Sequence, residues 1–483
     1  MLRSGVGAVA IALVLAGCQP APVDPPSAPE SEAEGNAAEE SAATSGSEAT
    51  DRDGEGSPRG FQPAATPEFC AQFDPGQLDW FELGLSQPQA ATSSEGTEVS
   101  IQRAALPPSD SERYNTIVEI CPGFHLVTTH DGDTRVLSIQ EDRFADTAGL
   151  NTAGALDNPA NPGVVGGGPT WGFRDSLVAG DYLYLSDAVV DAEAECVSLA
   201  IHRVAVEEVL SADTASSDVI YSSSPCVSYT DDYRARAPLK VHLGGALAYR
   251  GSRDELYVSI GDMHLGSSTI GQAEAIGIDN VEKDYALLLD DSAALSAVVA
   301  ISDPAHSAQS RVFAKGLRNS LGMTVVGSDR LWLTDHGPQG GDELNLIEEG
   351  ADYGWPLTSE GEPYDRSNYP DDPDALPAPW LDIYLSPQPG TTYPETSWSP
   401  AIAPTAIVEY PEGEARSGID DWAGSVVIGS LRAQTLLALR LTGESEFVED
   451  RLELGQRIRD LAATPEGHLL AVTDSSRLLV VAG

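Results

Sequence analysis

Residues 245–259 read Gly245-Ala-Leu-Ala-Tyr-Arg-Gly-Ser-Arg-Asp254-Glu-Leu-Tyr-Val-Ser259, and this stretch decides the fold. Two short apolar runs flank a Gly-Ser-Arg-Asp segment, which has the composition of a turn. Short apolar runs joined in this way indicate a β-hairpin, because the apolar residues do not follow the helical period. The stretch therefore predicts two adjacent antiparallel strands.

The same kind of apolar strand recurs along the chain. Six copies end in Ser, Thr or Gly and begin at His125, Tyr182, Glu255, Arg330, Ser425 and His468. Further strands and turns precede several of them, as at Gly245, Gly322 and Asp460. The chain after residue 66, roughly 420 residues, is larger than a single hydrophobic core usually becomes, so either two domains or a repeat architecture is expected. Six hairpin units predict an all-β six-bladed propeller over residues 67–483.

The N-terminus predicts export. Arg3 precedes an apolar run from Val6 to Leu15, and Leu15-Ala-Gly-Cys18 follows. The run is too short to span a bilayer, so residues 1–17 are predicted to be a removable signal peptide. The Leu-Ala-Gly-Cys end looks like a bacterial lipobox, which predicts lipidation of Cys18 and anchoring at the cell envelope. Gln19 after the cysteine favours the outer membrane; an ordinary secretory signal is the alternative.

Composition agrees with an exported protein. The 27 lysine and arginine residues stand against 75 acidic residues, which gives a net charge of −48. This balance argues against nucleic acid or anionic lipid as a partner. Residues 18–66 are rich in Pro, Ala, Ser, Gly and Glu, a composition that cannot bury enough apolar surface to fold. They are predicted to form a disordered acidic tether.

Four cysteines remain when Cys18 is set aside. In an oxidising compartment an even number suggests two disulfides, with three possible connectivities. Cys196 and Cys226 flank one strand-like stretch and one loop, which favours this pair and leaves Cys70 with Cys121. A structural zinc site is disfavoured because no CxxC spacing occurs.

One stretch carries most of the chemical information. It contains Gly316-Leu-Arg-Asn-Ser-Leu-Gly-Met323, then Leu331-Trp-Leu-Thr-Asp-His-Gly-Pro-Gln-Gly-Gly-Asp-Glu-Leu-Asn-Leu-Ile347, then Gly350-Ala-Asp-Tyr-Gly-Trp-Pro356. An arginine and an amide stand at one strand end, and a Gly337-Pro338 turn stands at the next. Carbonyl oxygens on a sharp turn suit calcium, and Asp342 and Glu343 add negative charge. An arginine beside a cation implies a bound polyanion, although a simple turn is the alternative for Gly337 and Pro338.

A long insertion, from about Gln339 to Ser399, is predicted to lie on one face of the propeller. Aromatic, proline-stiffened loops on a rigid scaffold are where binding sites are expected, and packing onto the blades is the alternative. Its aromatic residues are Tyr353, Trp355, Tyr364, Trp380, Tyr384 and Trp398.

These motifs resemble the soluble pyrroloquinoline-quinone (PQQ) glucose and sorbosone dehydrogenases, which include the aldose sugar dehydrogenases and are six-bladed propellers. The resemblance runs from about Gly166 to the C-terminus. Besides the long stretch above, it rests on Val241-His-Leu-Gly-Gly245, Trp398-Ser-Pro-Ala-Ile-Ala-Pro404, Ser430-Leu-Arg432 and Gln456-Arg-Ile-Arg-Asp460.

The resemblance implies PQQ and Ca²⁺ as cofactors and an aldose, or a related sugar or alcohol, as substrate. In such a site Arg318 and calcium on the Gly337 and Pro338 carbonyls polarise the quinone, while His242 removes the sugar hydroxyl proton and hydride moves to the quinone. Asn319, Arg432, Arg457 and Arg459 hold the carbonyls and carboxylates of the cofactor. Electrons would then pass to a periplasmic or membrane carrier.

Three positions depart from the family pattern. Arg432 replaces a lysine, Ala246 replaces an arginine, and the early glutamine is missing from Gly166-Gly-Gly-Pro-Thr-Trp-Gly172. The alternative function is therefore a PQQ-free propeller that binds glycan or protein at the envelope. Arg457 and Arg459 would then be surface ion pairs. A calcium-dependent lactonase is a second rival, but an arginine-rich floor suits a tricarboxylate better than a neutral lactone.

Overall fold

The structure is a computed structural model that describes residues 65–107, 114–151, 172–191, 193–211, 214–228, 242–266, 278–327, 329–361, 390–411, 418–441 and 446–483. Within these residues, six antiparallel sheets of four or five strands form six blades in a ring. The predicted six-bladed β-propeller is confirmed. The signal peptide, Cys18, the tether up to residue 64 and the glycine run before Gly172 lie outside the described residues.

The strands are numbered in chain order. Blade 1 contains β4 (Tyr114–Cys121), β5 (Phe124–Thr129), β6 (Thr134–Ser138) and β7 (Arg143–Asp146), with β1 (Trp80–Glu82) at its edge. Blade 2 contains β9 (Phe173–Ala179), β10 (Tyr182–Asp191), β11 (Cys196–Ala205) and β13 (Asp218–Ser222), with β14 (Val227–Ser228) also paired to β11. Blade 3 contains β15 (Gly244–Arg250), β16 (Glu255–Ile260), β17 (Ala297–Ser302) and β18 (Gln309–Lys315).

Blade 4 contains β19 (Ser320–Val326), β20 (Arg330–Asp335), β21 (Asp342–Ile347) and β22 (Thr396–Trp398). Blade 5 contains β23 (Pro404–Glu409), β24 (Val426–Ser430), β25 (Thr435–Leu441) and β26 (Phe447–Glu453). Blade 6 contains β27 (Ile458–Ala463), β28 (Leu469–Thr473), β29 (Arg477–Ala482), β3 (Glu98–Ala105) and β2 (Gln89–Thr92). The six apolar runs recognised in the sequence are the second strands of the six blades.

Other elements lie around the blades. β8 (Gly149–Asn151) and β12 (Thr214–Ser216) form a small parallel sheet. Among the described residues, α-helices cover Pro67–Gln72, Val206–Ser211 and Ile278–Leu288, and 3₁₀ helices cover Pro75–Gln77 and Asp420–Trp422. No helix within the described ranges has the length and apolar character that crossing a bilayer requires.

The first strands of the blades line the axis of the ring. β4, β9, β15, β19, β23 and β27 contact one another in that order, and β27 contacts β4. These strands run in the same direction. The evidence is that residues near the starts of neighbouring first strands are hydrogen-bonded to each other, as Asn115 Nδ2 is to the Phe173 carbonyl. Apolar clusters fill the spaces between neighbouring blades. One end of the ring therefore collects the starts of all six first strands.

Each first strand carries an irregularity at this end. The register against the second strand shifts within the first few residues of β4, β9, β15, β19, β23 and β27. Such bulges are frequent beside active sites, because they change the direction in which a side chain points.

The ring closes through strands from both parts of the chain. β3 pairs with β29 from Arg477 opposite Ala105 to Ala482 opposite Ser100. Blade 6 thus joins the beginning of the folded region to its end, a closure that the sequence analysis did not predict.

Both predicted disulfides are present. Cys70 bonds Cys121 and Cys196 bonds Cys226, which confirms the favoured connectivity. The first disulfide links helix Pro67–Gln72 to the end of β4. Ala65 is already buried, and its N–H donates to the Ile120 carbonyl, so the described fold begins two residues before the predicted boundary.

Two aspartates share a small cavity of about 20 Å³ on the axis. The backbone N–H of Leu247 donates to Asp175 Oδ2 at 2.7 Å, and that of Ile117 donates to Asp460 Oδ2 at 2.7 Å. Burial raises the pKa of Asp175 to about 7. Burial and the charge of Asp175 raise the pKa of Asp460 well above its usual value. The folded protein therefore holds protons here that the unfolded chain releases near pH 4.

This dyad predicts a loss of stability with rising pH. Because the folded pKa is the higher one, the contribution of Asp175 is complete below about pH 4 and is lost as pH rises through about 7. For this group alone we expect the unfolding free energy to fall by about 2–3 kcal/mol between pH 5 and pH 8. Chemical denaturation at both pH values should show a smaller fall in Asp175→Asn than in wild type. The exposed Asp421→Asn is the control, and equal falls in all three proteins would contradict the prediction.

Candidate functional site

The predicted site residues meet at the end of the ring where the first strands begin. His242 precedes β15, Arg318 and Asn319 precede β19, Arg457 precedes β27, and Arg459 lies in its bulge. Gly337 and Pro338 follow β20, and Arg432 follows β24. Second strands run antiparallel to first strands, so residues just after a second strand reach the same end. The structure thus brings the predicted residues of blades 3 to 6 together.

His242 and Arg318 form the centre of the site. Both are buried, and Arg318 Nη2 lies 3.3 Å from His242 Nε2. The other ring nitrogen, Nδ1, lies 2.9 Å from Asp262 Oδ1. An ionised Asp262 accepts the proton of Nδ1, which leaves the lone pair on Nε2. The imidazole therefore presents a proton acceptor towards Arg318.

The surroundings keep this imidazole neutral. Burial lowers the pKa of His242 well below its usual value, and the positive charge of Arg318 lowers it further. Burial raises the pKa of Asp262, while Arg318 and the His264 and Trp355 N–H groups oppose that rise. The ring of His264 lies 4.5 Å from that of His242, and burial lowers the pKa of His264 to about 4. At neutral pH the His242 imidazole is therefore uncharged, with a lone pair on Nε2.

A buried carboxylate holds the segment that carries Arg318. Asp335 accepts the backbone N–H groups of Arg318 and Asn319, both at 2.7 Å, and the Ser320 hydroxyl at 2.8 Å. The Arg318 guanidinium then reaches across and donates through Nη1 to the carbonyls of His336 and Gly337, both at 3.0 Å. The backbone of Arg318 is therefore held by Asp335, and its guanidinium is held by the two carbonyls.

The Gly337 turn is held by Asp342. Asp342 Oδ1 accepts the Gly337 N–H at 3.0 Å, and Oδ2 accepts the N–H groups of Ile402 and Ala403, both at 2.7 Å. A Cβ on Gly337 would lie 2.2 Å from the Gly340 carbonyl oxygen, so only glycine fits. Asp342 is thus a clamp on the turn. Burial raises the pKa of the neighbouring Glu343 to about 8, so Glu343 adds little of the negative charge expected at neutral pH.

Three of the predicted arginines lie further round the ring. Arg457 and Arg459 both pair with Asp474, which follows β28, and Arg457 Nε lies 2.6 Å from Asp474 Oδ2. Arg457 Nη1 also donates to the Leu431 carbonyl at 3.3 Å. Arg432 is exposed. Two guanidinium groups on one carboxylate leave a net positive charge and several free N–H donors for an anion.

The aromatic residues of the insertion that the structure describes are packed inside the fold and do not form an exposed binding surface. Tyr353, Trp355 and Trp398 are buried at 6%, 4% and 6% exposure, and Trp398 packs between blades 4 and 5. Tyr364, Trp380 and Tyr384 lie outside the described residues. Ala246 is buried between blades 3 and 4. His336 Nε2 lies 2.6 Å from the Pro404 carbonyl, so it is hydrogen-bonded within the fold.

Sequence reasoning gave no role to Asp262, His264 and Asp335, which shape the site, and it named Trp355 only as one of the aromatic residues of the insertion. A signal for the two aspartates was present. In an antiparallel hairpin the residues just before the first strand lie beside those at the end of the second, so Asp262 lies beside His242 and Asp335 lies beside Arg318. The same relation places Asp474 beside Arg457 and Arg459.

Metal-ligand side chains do not converge in the part of the chain that the structure describes. No group of three or more His, Cys, Asp or Glu residues there is arranged to hold a metal ion. A calcium ion at the turn would depend on backbone carbonyl oxygens, and the Gly337 carbonyl already accepts a hydrogen bond from Arg318.

Comparisons with known proteins agree with this architecture. The sequence model of the Glucose / Sorbosone dehydrogenase family matches residues 119–480. An uncharacterized protein of Synechocystis sp. is 33% identical over 177 residues, which are 36% of this chain and 39% of that protein. Aldose sugar dehydrogenase YliI of Escherichia coli is 27% identical over 238 residues, which are 49% of this chain and 58% of that protein. The chain thus matches less than two thirds of either relative.

A solved structure shows the same fold. The PQQ-bound form of an aldose sugar dehydrogenase from Streptomyces coelicolor is similar with a TM-score of 0.51 at 18% identity, covering 80% of this chain and 98% of that one.

Proposed function

Because the chain belongs to the glucose/sorbosone dehydrogenase family, we propose that it oxidises an aldose, or a related sugar or alcohol, by hydride transfer to PQQ with the aid of calcium. The observation that carries this proposal is the buried pair of His242 and Arg318, whose side chains lie 3.3 Å apart. A neutral base beside a fixed guanidinium suits removal of a hydroxyl proton next to a developing negative charge.

His242 acts as the general base. Its Nε2 accepts the proton of the sugar hydroxyl, while Asp262 holds Nδ1 and stabilises the positive charge that the imidazole gains. The low pKa of His242 keeps Nε2 unprotonated at neutral pH. Arg318 Nη2 lies 3.3 Å from Nε2 in the structure, and the sugar hydroxyl must replace this one contact, while the Nη1 bonds to the His336 and Gly337 carbonyls keep the guanidinium in place.

The remaining residues suit a flat polyanion. Asn319 and Arg318 lie at the start of blade 4, and Arg432, Arg457 and Arg459 lie further round the ring in blades 5 and 6 with N–H donors for carboxylates. The Gly337 and Pro338 carbonyls supply hard oxygen ligands for calcium, which need no acidic cluster. PQQ, when bound, supplies the hydride acceptor, and the protein supplies position and charge.

Reconstitution tests the proposed function. Purified protein without cofactor is titrated with PQQ in the presence and absence of Ca²⁺, with fluorescence quenching as the binding signal, and dye reduction is then followed with a panel of aldoses. We expect binding that depends on calcium and turnover with at least one sugar. Gly337→Val should weaken calcium binding in calorimetry, because a side chain there collides with the Gly340 carbonyl.

The alternative proposal is a PQQ-free propeller that binds glycan or protein. Its support is that Arg457 and Arg459 already pair with Asp474, as surface ion pairs would. The same titration separates the two functions. A wild-type protein that binds no PQQ with calcium present would exclude the dehydrogenase and leave the binding module.

The proposed location is the bacterial envelope, most simply the outer membrane, with a lipid on Cys18 and electrons passed to a periplasmic or membrane carrier. Two disulfides support an oxidising compartment. Mass spectrometry of protein isolated from cells should find acyl groups that disappear in Cys18→Ala. An unmodified wild-type N-terminus at Cys18 would contradict the anchor.

A further inference from the structure

Trp355 contacts both halves of the candidate catalytic pair. Its indole Nε1 donates to Asp262 Oδ2 at 2.9 Å, on the carboxylate that also holds His242. Its ring lies beneath the Arg318 guanidinium, with Cζ 5.4 Å from the ring centroid. Its backbone N–H donates to the Gly316 carbonyl at 3.0 Å, and the residue is 4% exposed. One buried side chain therefore connects the base to the arginine.

We propose that Trp355 is a positioning residue that fixes the orientation of Asp262 and the plane of Arg318, and so sets the geometry in which His242 works. This inference rests on the proposed function. Trp355 does not reach the substrate in this role; it acts through Asp262 and Arg318.

The Asp262 carboxylate has both oxygens hydrogen-bonded. Oδ1 accepts His242 Nδ1 and the His264 N–H, at 2.9 and 2.8 Å. Oδ2 accepts the indole N–H of Trp355. With both oxygens engaged, the carboxylate cannot rotate without losing a buried hydrogen bond, which is unfavourable because the buried donor is left without a partner. The indole N–H thus keeps Oδ1 directed at the imidazole.

The Trp355 ring also supports the side chain of Arg318. A guanidinium above an indole face is attracted by the ring quadrupole, and burial strengthens the attraction. The Asp335 carboxylate holds the backbone of Arg318, and the indole supports its side chain. The same ring therefore sets the separation between the imidazole and the guanidinium.

The fold leaves space for this indole at Gly266. A Cβ on Gly266 would lie 2.7 Å from Trp355 Nε1 and 2.9 Å from Cε2. Gly266→Ala should therefore displace the indole without altering its chemistry. It offers a second, independent way to disturb the contact.

Trp355→Phe tests the proposal, since it keeps an aromatic face and removes the N–H donor. With PQQ and calcium we expect kcat to fall roughly 10- to 100-fold, as for other lost outer-shell partners, with KM changed less than about twofold. The matched control is Trp332→Phe. Trp332 is also buried, and its indole N–H has no hydrogen-bond partner in the described part of the chain. Similar Tm values for the two variants would show that both are folded.

A double-mutant cycle separates positioning from packing. If Trp355 acts through Asp262, the pair Asp262→Asn and Trp355→Phe together should be no slower than Asp262→Asn alone. Multiplying effects would overturn the proposal, as would a kcat for Trp355→Phe equal to that of Trp332→Phe.

A third measurement needs no activity. In ¹⁵N NMR of the protein without cofactor, with His242 assigned through His242→Gln, we expect the proton on Nδ1 in wild type and a mixture of tautomers in Trp355→Phe and Gly266→Ala. An unchanged tautomer in both variants would overturn the positioning role. Failure of wild type to turn over any sugar would instead remove the proposed function, while this measurement would still decide the role of Trp355.

Discussion

Replacing His242 by alanine is expected to lower sugar turnover with PQQ and calcium by about 10²- to 10⁴-fold, the usual effect of losing a general base. The imidazole is buried, neutral and bonded to Asp262 through Nδ1, which leaves Nε2 as the proposed proton acceptor. PQQ affinity should remain nearly unchanged, because the predicted cofactor contacts come from other side chains. Steady-state kinetics and a PQQ titration on the same preparation measure both quantities.

His306→Ala is the control for that variant. His306 is an exposed histidine paired with Asp303 and lies outside the site, so its loss should leave turnover as in wild type. Added imidazole should restore part of the activity of His242→Ala and none should be gained by the control. Turnover of His242→Ala within threefold of wild type would show that another group removes the proton.

Arg318→Met is expected to have an effect of similar size, a fall in kcat of about 10²- to 10³-fold, as when a buried donor to developing negative charge is removed. The change also removes the positive charge of Arg318, which lies beside His242. Because Arg318 lowers the pKa of His242, its loss raises that pKa, and the acidic limb of the rate profile should move to higher pH. Rates measured from pH 5 to pH 9 test both parts.

Arg250→Met is the matched control, since Arg250 is a buried arginine at the end of β15 that donates to the Asp329 carbonyl between β19 and β20, at the opposite end of these strands from the site. It should change stability and leave the pH profile in place. An acidic limb that stays where it is in Arg318→Met would mean that the guanidinium does not act on His242.

The fold was largely predictable because each blade has one unmistakable strand. The second strands are buried on both sides, so runs such as Leu-Tyr-Val-Ser stand out as continuous apolar stretches. The first strands were harder to place, since their bulges break the alternation that reveals a strand. β2 and β3 were missed because nothing local shows that β3 pairs with β29, more than 370 residues later, and β2 is joined to the blade only through β3.

The site residues that lie in long sequence motifs could be predicted. Those that reach the site only through the register of strand pairing could not. His242, Arg318 and Gly337 stand in recognisable stretches. The partners of these residues depend on hairpin pairing, which sets Asp262 and Asp335 beside them. Trp355 comes from an insertion whose path the sequence does not specify. Asp175 and Asp460, which share the small cavity on the axis, lie 285 residues apart in the chain, and only ring closure brings the two carboxyls together.

The seam between β3 and β29 also orders the events of biosynthesis. β3 is made early, yet one of its edges has no partner until the last residues of the chain emerge. An unpaired edge strand is a template for pairing with other chains, so the nascent protein has an aggregation-prone strand edge until synthesis ends. Ring closure is then the final step, and a ribosome that stalls before residue 477 releases a chain with five complete blades and an open sixth.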